Sequence, residues 1–179
     1  MNFGQNDVFV EQLVKRKKGT KDYLMIALAV IVYLAIIYLC LLFFQYTAPF
    51  IIIIFALITW LLWRFITSRN IEYEYICTNG YLDIDAIVNK KKRDRKISMD
   101  AKDMEIVAEV SDRAYNSYKN NDNYKTKDFS TNTGAEDVWF FAGNYDDELC
   151  LVLFEPEERI IKDLKRHNPR VVKYNYIQG

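Results

Sequence analysis

Residues 71–88 read Ile71-Glu72-Tyr73-Glu74-Tyr75-Ile76-Cys77-Thr78-Asn79-Gly80-Tyr81-Leu82-Asp83-Ile84-Asp85-Ala86-Ile87-Val88. Two runs of period two flank Asn79-Gly80. In the first, Tyr73, Tyr75 and Cys77 alternate with Glu72 and Glu74. In the second, Leu82, Ile84, Ala86 and Val88 fall opposite Asp83 and Asp85. Such alternation sends one set of side chains to a core and the other to water. Asn-Gly between the runs predicts a tight hairpin, because both central residues of that turn take positive φ. Asp83 and Asp85 are therefore expected on a solvated face.

Downstream the pattern continues. A basic stretch containing Lys90, Lys91, Lys92, Arg93, Arg95 and Lys96 predicts a polar turn. Lys96 to Met99 and Met104 to Val110 then predict two further strands, giving an antiparallel meander with one buried face. Val138 to Ala142 and Glu148 to Phe154 predict a second hairpin around residues 143–147. The acids Asp146, Asp147 and Glu148 suit a solvated turn and lack the ligand spacing of a calcium loop. Residues 111–134 are polar with almost no aliphatic side chains, which predicts a long mobile loop. Its tyrosines are candidates for docking.

Pro156 opens a predicted amphipathic helix over 156–168. Glu157 and Glu158 lie in its first turn, and Lys165, Arg166 and His167 in its last, the order that complements the helix dipole. Ile160, Ile161 and Leu164 form its apolar stripe. His167 is the single histidine. It sits at a helix end with no Ser, Cys or Asp partner identifiable in the sequence, and is read as structural. Val171 to Ile177 suit an additional edge strand.

Upstream of Ile71 the solvent changes. From Tyr23 to Trp63 the chain carries no Asp, Glu, Lys, Arg or His. Tyr23 to Phe44 as a helix rises about 33 Å, enough for a hydrocarbon core of about 30 Å. Gln45 to Pro49 interrupt the run, and Pro49 suits the first turn of a second helix ending near Thr67. A secretory leader fits poorly, since the apolar run is too long and no cleavage motif follows. Lys15, Arg16, Lys17, Lys18 and Lys21 precede the first helix, Arg64 and Arg69 close the second, and the connection has no basic residue. Both termini are therefore expected in the cytoplasm, in a two-helix multi-pass protein of the cell membrane. Tyr23, Trp60 and Trp63 join Lys15, Arg16, Lys17, Lys18, Lys21 and Arg64 as the expected membrane-interface residues. The absence of ionisable residues and of glycine within the helices favours an anchor over an ion path or a close-packed helix contact.

Three regions result: a basic amphipathic segment 1–21, a transmembrane hairpin 22–69, and a β domain 70–179. In the first, Val8, Phe9, Leu13 and Val14 form an apolar face with Asn6 or Asp7 as N-cap, suited to a helix lying on an anionic surface. A frayed tail serving only as a positive-inside signal fits equally.

The 24 basic and 24 acidic residues balance, so nothing global points to nucleic acid, and the basic run lacks the interleaved aromatics of a single-strand binder. Cys40, Cys77 and Cys150 are too far apart for a zinc pattern. In a cytosolic domain Cys77 and Cys150 are expected as reduced thiols. No metal, cofactor, catalytic Ser-His or Cys-His pair, or phosphate-binding glycine loop is read.

The segment Glu74 to Ile84, followed by Arg95-Lys96-Ile97-Ser98-Met99 and Met104-Glu105-Ile106, resembles a bacterial pleckstrin-homology-like (PH-like) domain. The whole chain, including Val8 to Lys15, resembles an uncharacterised family of small Gram-positive bacterial membrane proteins. The resemblance implies an α+β fold: a two-helix transmembrane hairpin, then an antiparallel β meander or barrel capped by a C-terminal amphipathic helix. It transfers no function.

A strand of about eight residues spans roughly 25 Å. If the first strand leaves the bilayer, the second returns, and Lys90, Lys91, Lys92, Arg93, Arg95 and Lys96 come back to the surface as candidate headgroup contacts. The expected role is a non-catalytic, membrane-anchored module that binds anionic lipid or a membrane or cytoplasmic protein. The competing role is an accessory subunit of a membrane enzyme or transporter complex.

Overall fold

The computed structural model describes residues 9–131 and 137–174. The described residues up to Lys17, together with those from Glu72 onward, pack as one unit, and Lys18–Ile71 pack as another.

The first unit contains two four-stranded sheets. One has the order β1-β2-β3-β4, from Phe9–Lys15, Ile71–Thr78, Tyr81–Val88 and Lys92–Asp100. The other has the order β5-β7-β8-β6, from Met104–Glu109, Trp139–Tyr145, Glu148–Phe154 and Lys125–Asp128. Helix α5, Glu158–His167, buries Ile160, Ile161 and Leu164. The core joins Tyr75, Leu82, Ile84 and Ile97 of the first sheet to Val107, Phe141 and Phe154 of the second, each essentially inaccessible. Phe154 is packed edge-on by both Tyr75 and Phe141. Each such pair contributes about 0.5–1.5 kcal/mol beyond area burial.

The turns follow from local chemistry. Asn79 and Gly80 both take positive φ, at 50° and 84°, as the Asn-Gly dipeptide predicts. Asp146 and Asp147 do the same at 53° and 62°, so this acidic group is the β7–β8 turn.

Three expectations are corrected. The segment expected to form a surface helix is strand β1, paired antiparallel with β2 from Phe9↔Thr78 to Lys15↔Glu72. Phe9, Val10, Leu13 and Val14 have helical spacing, but in the strand only Val10 and Val14 share the inward face while Phe9 and Leu13 stay exposed on the other. Long-range pairing overrides that spacing, since so short a helix lacks the bonds to offset its nucleation cost. Val8 and the proposed caps Asn6 and Asp7 lie outside the described residues.

The expected loop 111–134 is largely ordered, as α4, Arg113–Lys119, and β6. Asp112 caps α4 by accepting from the Ala114 N–H at 2.7 Å. Strand β6 pairs parallel with β8. Tyr115 and Tyr118 pack on Phe140, and Tyr118 meets Tyr124 edge-on. These rings cover the second face of the β5-β7-β8 sheet, where Ile106, Ala108, Phe140, Ala142 and Leu151 are buried. Tyrosine supplies the apolar area that aliphatic residues would otherwise provide. Residues 132–136 lie outside the described residues.

The third correction concerns Asp85. It is 2 % exposed, covered by Arg95 rather than solvated. At the other end of the chain, the predicted tail strand is one parallel bridge, Val107↔Val172, and residues 175–177 lie outside the description.

The second unit holds α1, Thr20–Leu42, a short helix α2, Phe44–Thr47, a 3-10 turn Ala48–Phe50 containing Pro49, and α3, Ile51–Thr67. Two helical stretches, Thr20–Leu42 and Phe44–Thr67, are long and apolar enough to cross a membrane. Tyr33 and Thr59 share a hydrogen bond of 3.2 Å between the helices, with Tyr33 tilted on Phe55. Asp22 accepts from the Gly19 N–H at 3.1 Å, and its other oxygen lies 4.0 Å from Arg69.

Candidate functional site

Strand directions determine which residues share an end of the first sheet. Strand β1 ends at Lys15, β2 begins at Ile71, β3 ends at Val88 and β4 begins at Lys92. Lys15, Glu72 and the β3–β4 turn therefore lie at one end. Asn79-Gly80 and Asp100 lie at the other. The chain enters the apolar helices from Lys15 and re-enters the sheet at Ile71, so the apolar hairpin is an insertion between the first two strands of the sheet.

The β3–β4 turn is short. Asn89 and Lys90 take positive φ, at 51° and 56°, and the Lys91 N–H donates to the Val88 carbonyl at 3.1 Å. Only residues 89–91 form the turn. The rest of the basic run belongs to β4, which corrects the expected turn. Lys90, Lys91 and Lys92 are exposed at the tip.

Arg93, Arg95 and Lys96 are held differently. On the outer face, Arg93 Nη2 lies 2.9 Å from Glu74 Oε1. Arg95 Nη1 lies 2.7 Å from Asp83 Oδ2, and Arg95 Nε donates to Asp85 Oδ1. Lys96 is the extra residue of a bulge between Ile84↔Ile97 and Asp85↔Arg95, and pairs with Asp94 at 2.6 Å. The six candidate residues thus separate into a lysine tip and a ladder of ion pairs running down the sheet. The ladder was legible only as alternating acids on β2 and β3. Its partner strand was hidden inside what read as a turn.

The opposite end holds a cluster the sequence did not announce. Asp163 of α5 is 3 % exposed and accepts from the Gly80 N–H at 2.7 Å and from the Cys77 thiol at 3.3 Å. His167 Nδ1 lies 3.6 Å from Asp163 Oδ1. So His167 does have an Asp neighbour, and that residue, Asp163, also holds Cys77. Burial, reinforced by the Asp163 carboxylate, pushes the Cys77 thiol far above its ordinary range. A thiol held protonated is a poor nucleophile. The cluster joins the Asn79-Gly80 turn to the helix end and is structural. Among the described residues, no three His, Cys, Asp or Glu side chains are grouped to hold a metal ion.

The expected membrane-interface residues divide between the two units. Lys15 belongs to β1, facing Glu72, with Arg16 and Lys17 just beyond it. In the helical unit, Lys18 precedes α1, Lys21 lies in its first turn, and Tyr23, Trp60 and Trp63 are exposed. Arg64 lies over the Trp60 ring at 5.8 Å.

Two sheets closed by a C-terminal helix, carrying two apolar helices in sequence, define a PH-like domain with a membrane-length hairpin. The chain belongs to the family described as Bacterial PH-like domain (DUF6106), which matches residues 6–174. That match runs from before β1, through the hairpin, to beyond α5, so strand, insertion and the two sheets belong to one family unit. No curated relative and no solved structure is similar to the chain.

Proposed function

We propose that this protein is a membrane-anchored, non-catalytic binding module of the cell membrane, with both termini cytoplasmic, whose lysine tip contacts anionic lipid headgroups. The observation that carries the reading is the shared end of the sheet. Lys90, Lys91 and Lys92 lie at the end from which the chain passes into the apolar helices. The connections are short, residues 16–19 outward and residues 68–70 on return. Near an anionic leaflet each lysine contributes about 1 kcal/mol, falling off within a Debye length. Arg93, Arg95 and Lys96 already have carboxylate partners within the sheet, which leaves the three lysines as the principal contacts.

The test uses the full chain in nanodiscs of phosphatidylcholine alone or rich in phosphatidylserine. Amide exchange in the β3–β4 turn should slow in the anionic discs. Replacing Lys90, Lys91 and Lys92 together by glutamate should remove the difference. Equal exchange in both lipids for the unaltered protein contradicts the reading and points to a protein partner instead.

A further inference from the structure

We propose that Glu74 is a proton-operated latch on Arg93, so that acidification frees this guanidinium to join the lysine tip on lipid phosphate. The inference rests on the lipid reading above and adds regulation to it.

The geometry is a shortage of positive charge on one patch of sheet. Glu74 is 2 % exposed, on the outer face of β2. From β4, Arg93 reaches it at 2.9 Å. From β1, Leu13 sits directly opposite. Glu11, two residues along β1 from Leu13, is a diagonal neighbour of Glu74 on the same face and adds negative charge. From β3, Asp85 adds negative charge, but Arg95 is committed to Asp85 and Asp83. Glu74 and Glu11 therefore place two carboxyl groups on a patch where Arg93 is the one of these two guanidiniums not taken by Asp83 and Asp85. Among the described residues Glu74 Oε2 is buried without a hydrogen-bond partner, and like charge in a buried site favours uptake of a proton there. Burial raises the Glu74 carboxyl above its ordinary value, Arg93 opposes the shift, and Glu11 adds to it.

Arg93 is suited to leave. Its side chain is 57 % exposed, and it lies one residue beyond Lys92. With Glu74 neutral, only a neutral acceptor holds the guanidinium. A phosphate offers paired, charge-assisted bonds, roughly twice as strong.

The experiment follows exchange in the β3–β4 turn of the full chain, from neutral to mildly acid pH, in anionic and neutral nanodiscs. The anionic-specific protection should grow about fivefold on acidification, the worth of one added surface charge. Glu74→Gln should show the acid level of protection at every pH. Arg93→Gln should keep the lysine-dependent protection and lose the gain, which covers the case in which the Glu74 variant folds poorly. Anionic-specific protection with an unaltered pH response in both variants overturns the latch and leaves the lipid reading standing. No anionic-specific protection at any pH overturns both.

Discussion

Lys15 and Glu72 stand directly opposite each other in the β1–β2 pair, with Lys15 Nζ 3.9 Å from Glu72 Oε1, and the chain between them is the apolar hairpin with its short links. Their registry makes the insertion a structural fact of the first sheet. The ion pair itself is weak, since the Lys15 side chain is 76 % exposed. Exposed pairs contribute at most about 1 kcal/mol. Lys15→Ala should leave thermal unfolding nearly unchanged. Deleting residues 9–15 should abolish cooperative unfolding of the domain. Strand β1 buries Val14, and Gln12 bonds through its side chain to the Glu155 carbonyl and the Glu157 N–H. A deletion variant that unfolds like the full chain would falsify the placement of β1.

The Asn79-Gly80 turn depends on α5. A Cβ on Gly80 meets His167 Cγ at 2.5 Å, and φ is +84°. Gly80→Ala should lose at least about 1–2 kcal/mol from the left-handed backbone alone. Asp163→Ala leaves the buried Gly80 N–H without its acceptor and should lose about 1–3 kcal/mol. Chemical unfolding in detergent measures both. Wild-type stability in either variant contradicts the packing of α5 on this turn.

Cys77 should resist alkylation in the folded protein at neutral pH and react only on unfolding, because burial keeps it protonated. Mass spectrometry after iodoacetamide treatment reads this directly. Rapid modification of the native state contradicts the assignment of a structural thiol.

Tyr124 donates to Glu105 at 2.6 Å, and this bond pushes its phenol up to about 12. The folded state thus retains a proton that an unfolded tyrosine releases near its ordinary value of 10.0. The associated stability is complete below that value and is lost as pH rises towards the folded one. Glu105→Gln should bring the Tyr124 titration down, read as phenolate absorbance. An unchanged titration denies the Glu105 bond.

Glu74 gives a stability signature independent of lipid. Its carboxyl is raised above the ordinary 4.5 by burial. A raised acid contributes stability below its unfolded pKa and loses that contribution as pH rises through the folded one. Unfolding of the full chain in neutral detergent should therefore weaken from mildly acid pH upward relative to Glu74→Gln. Parallel profiles contradict this electrostatic account.

Much of the β domain was legible because its signals are local. Asn79-Gly80 and the alternation around it require no tertiary information. The same holds for the uncharged run from Tyr23 to Trp63 and for the charge order along α5. Strand β1 was not legible, because its partner lies beyond the hairpin and its apolar residues at 9, 10, 13 and 14 are spaced as in a helix. Helix α4 was missed because Tyr115 and Tyr118 do the burying in a segment that is polar by composition. For the candidate site, the basic residues were visible, but their division was not. Ion pairing of Arg93 and Arg95 depends on which acids β2 and β3 present across the sheet, and a single-residue bulge at Lys96 sets that register.

The PH-like domain is interrupted between β1 and β2 by the hairpin, and its lysine tip lies at that same end of the sheet. The most direct measurement replaces residues 17–70 by an Asn-Gly turn, which suits the β1–β2 pairing. The resulting chain is examined for cooperative thermal unfolding and for sedimentation with anionic and neutral vesicles. The account predicts a soluble domain with a single sharp transition that sediments with anionic vesicles only, and that loses this binding when Lys90, Lys91 and Lys92 become glutamate. A chain that fails to fold contradicts the inserted hairpin. A folded chain that ignores anionic vesicles contradicts the lysine tip.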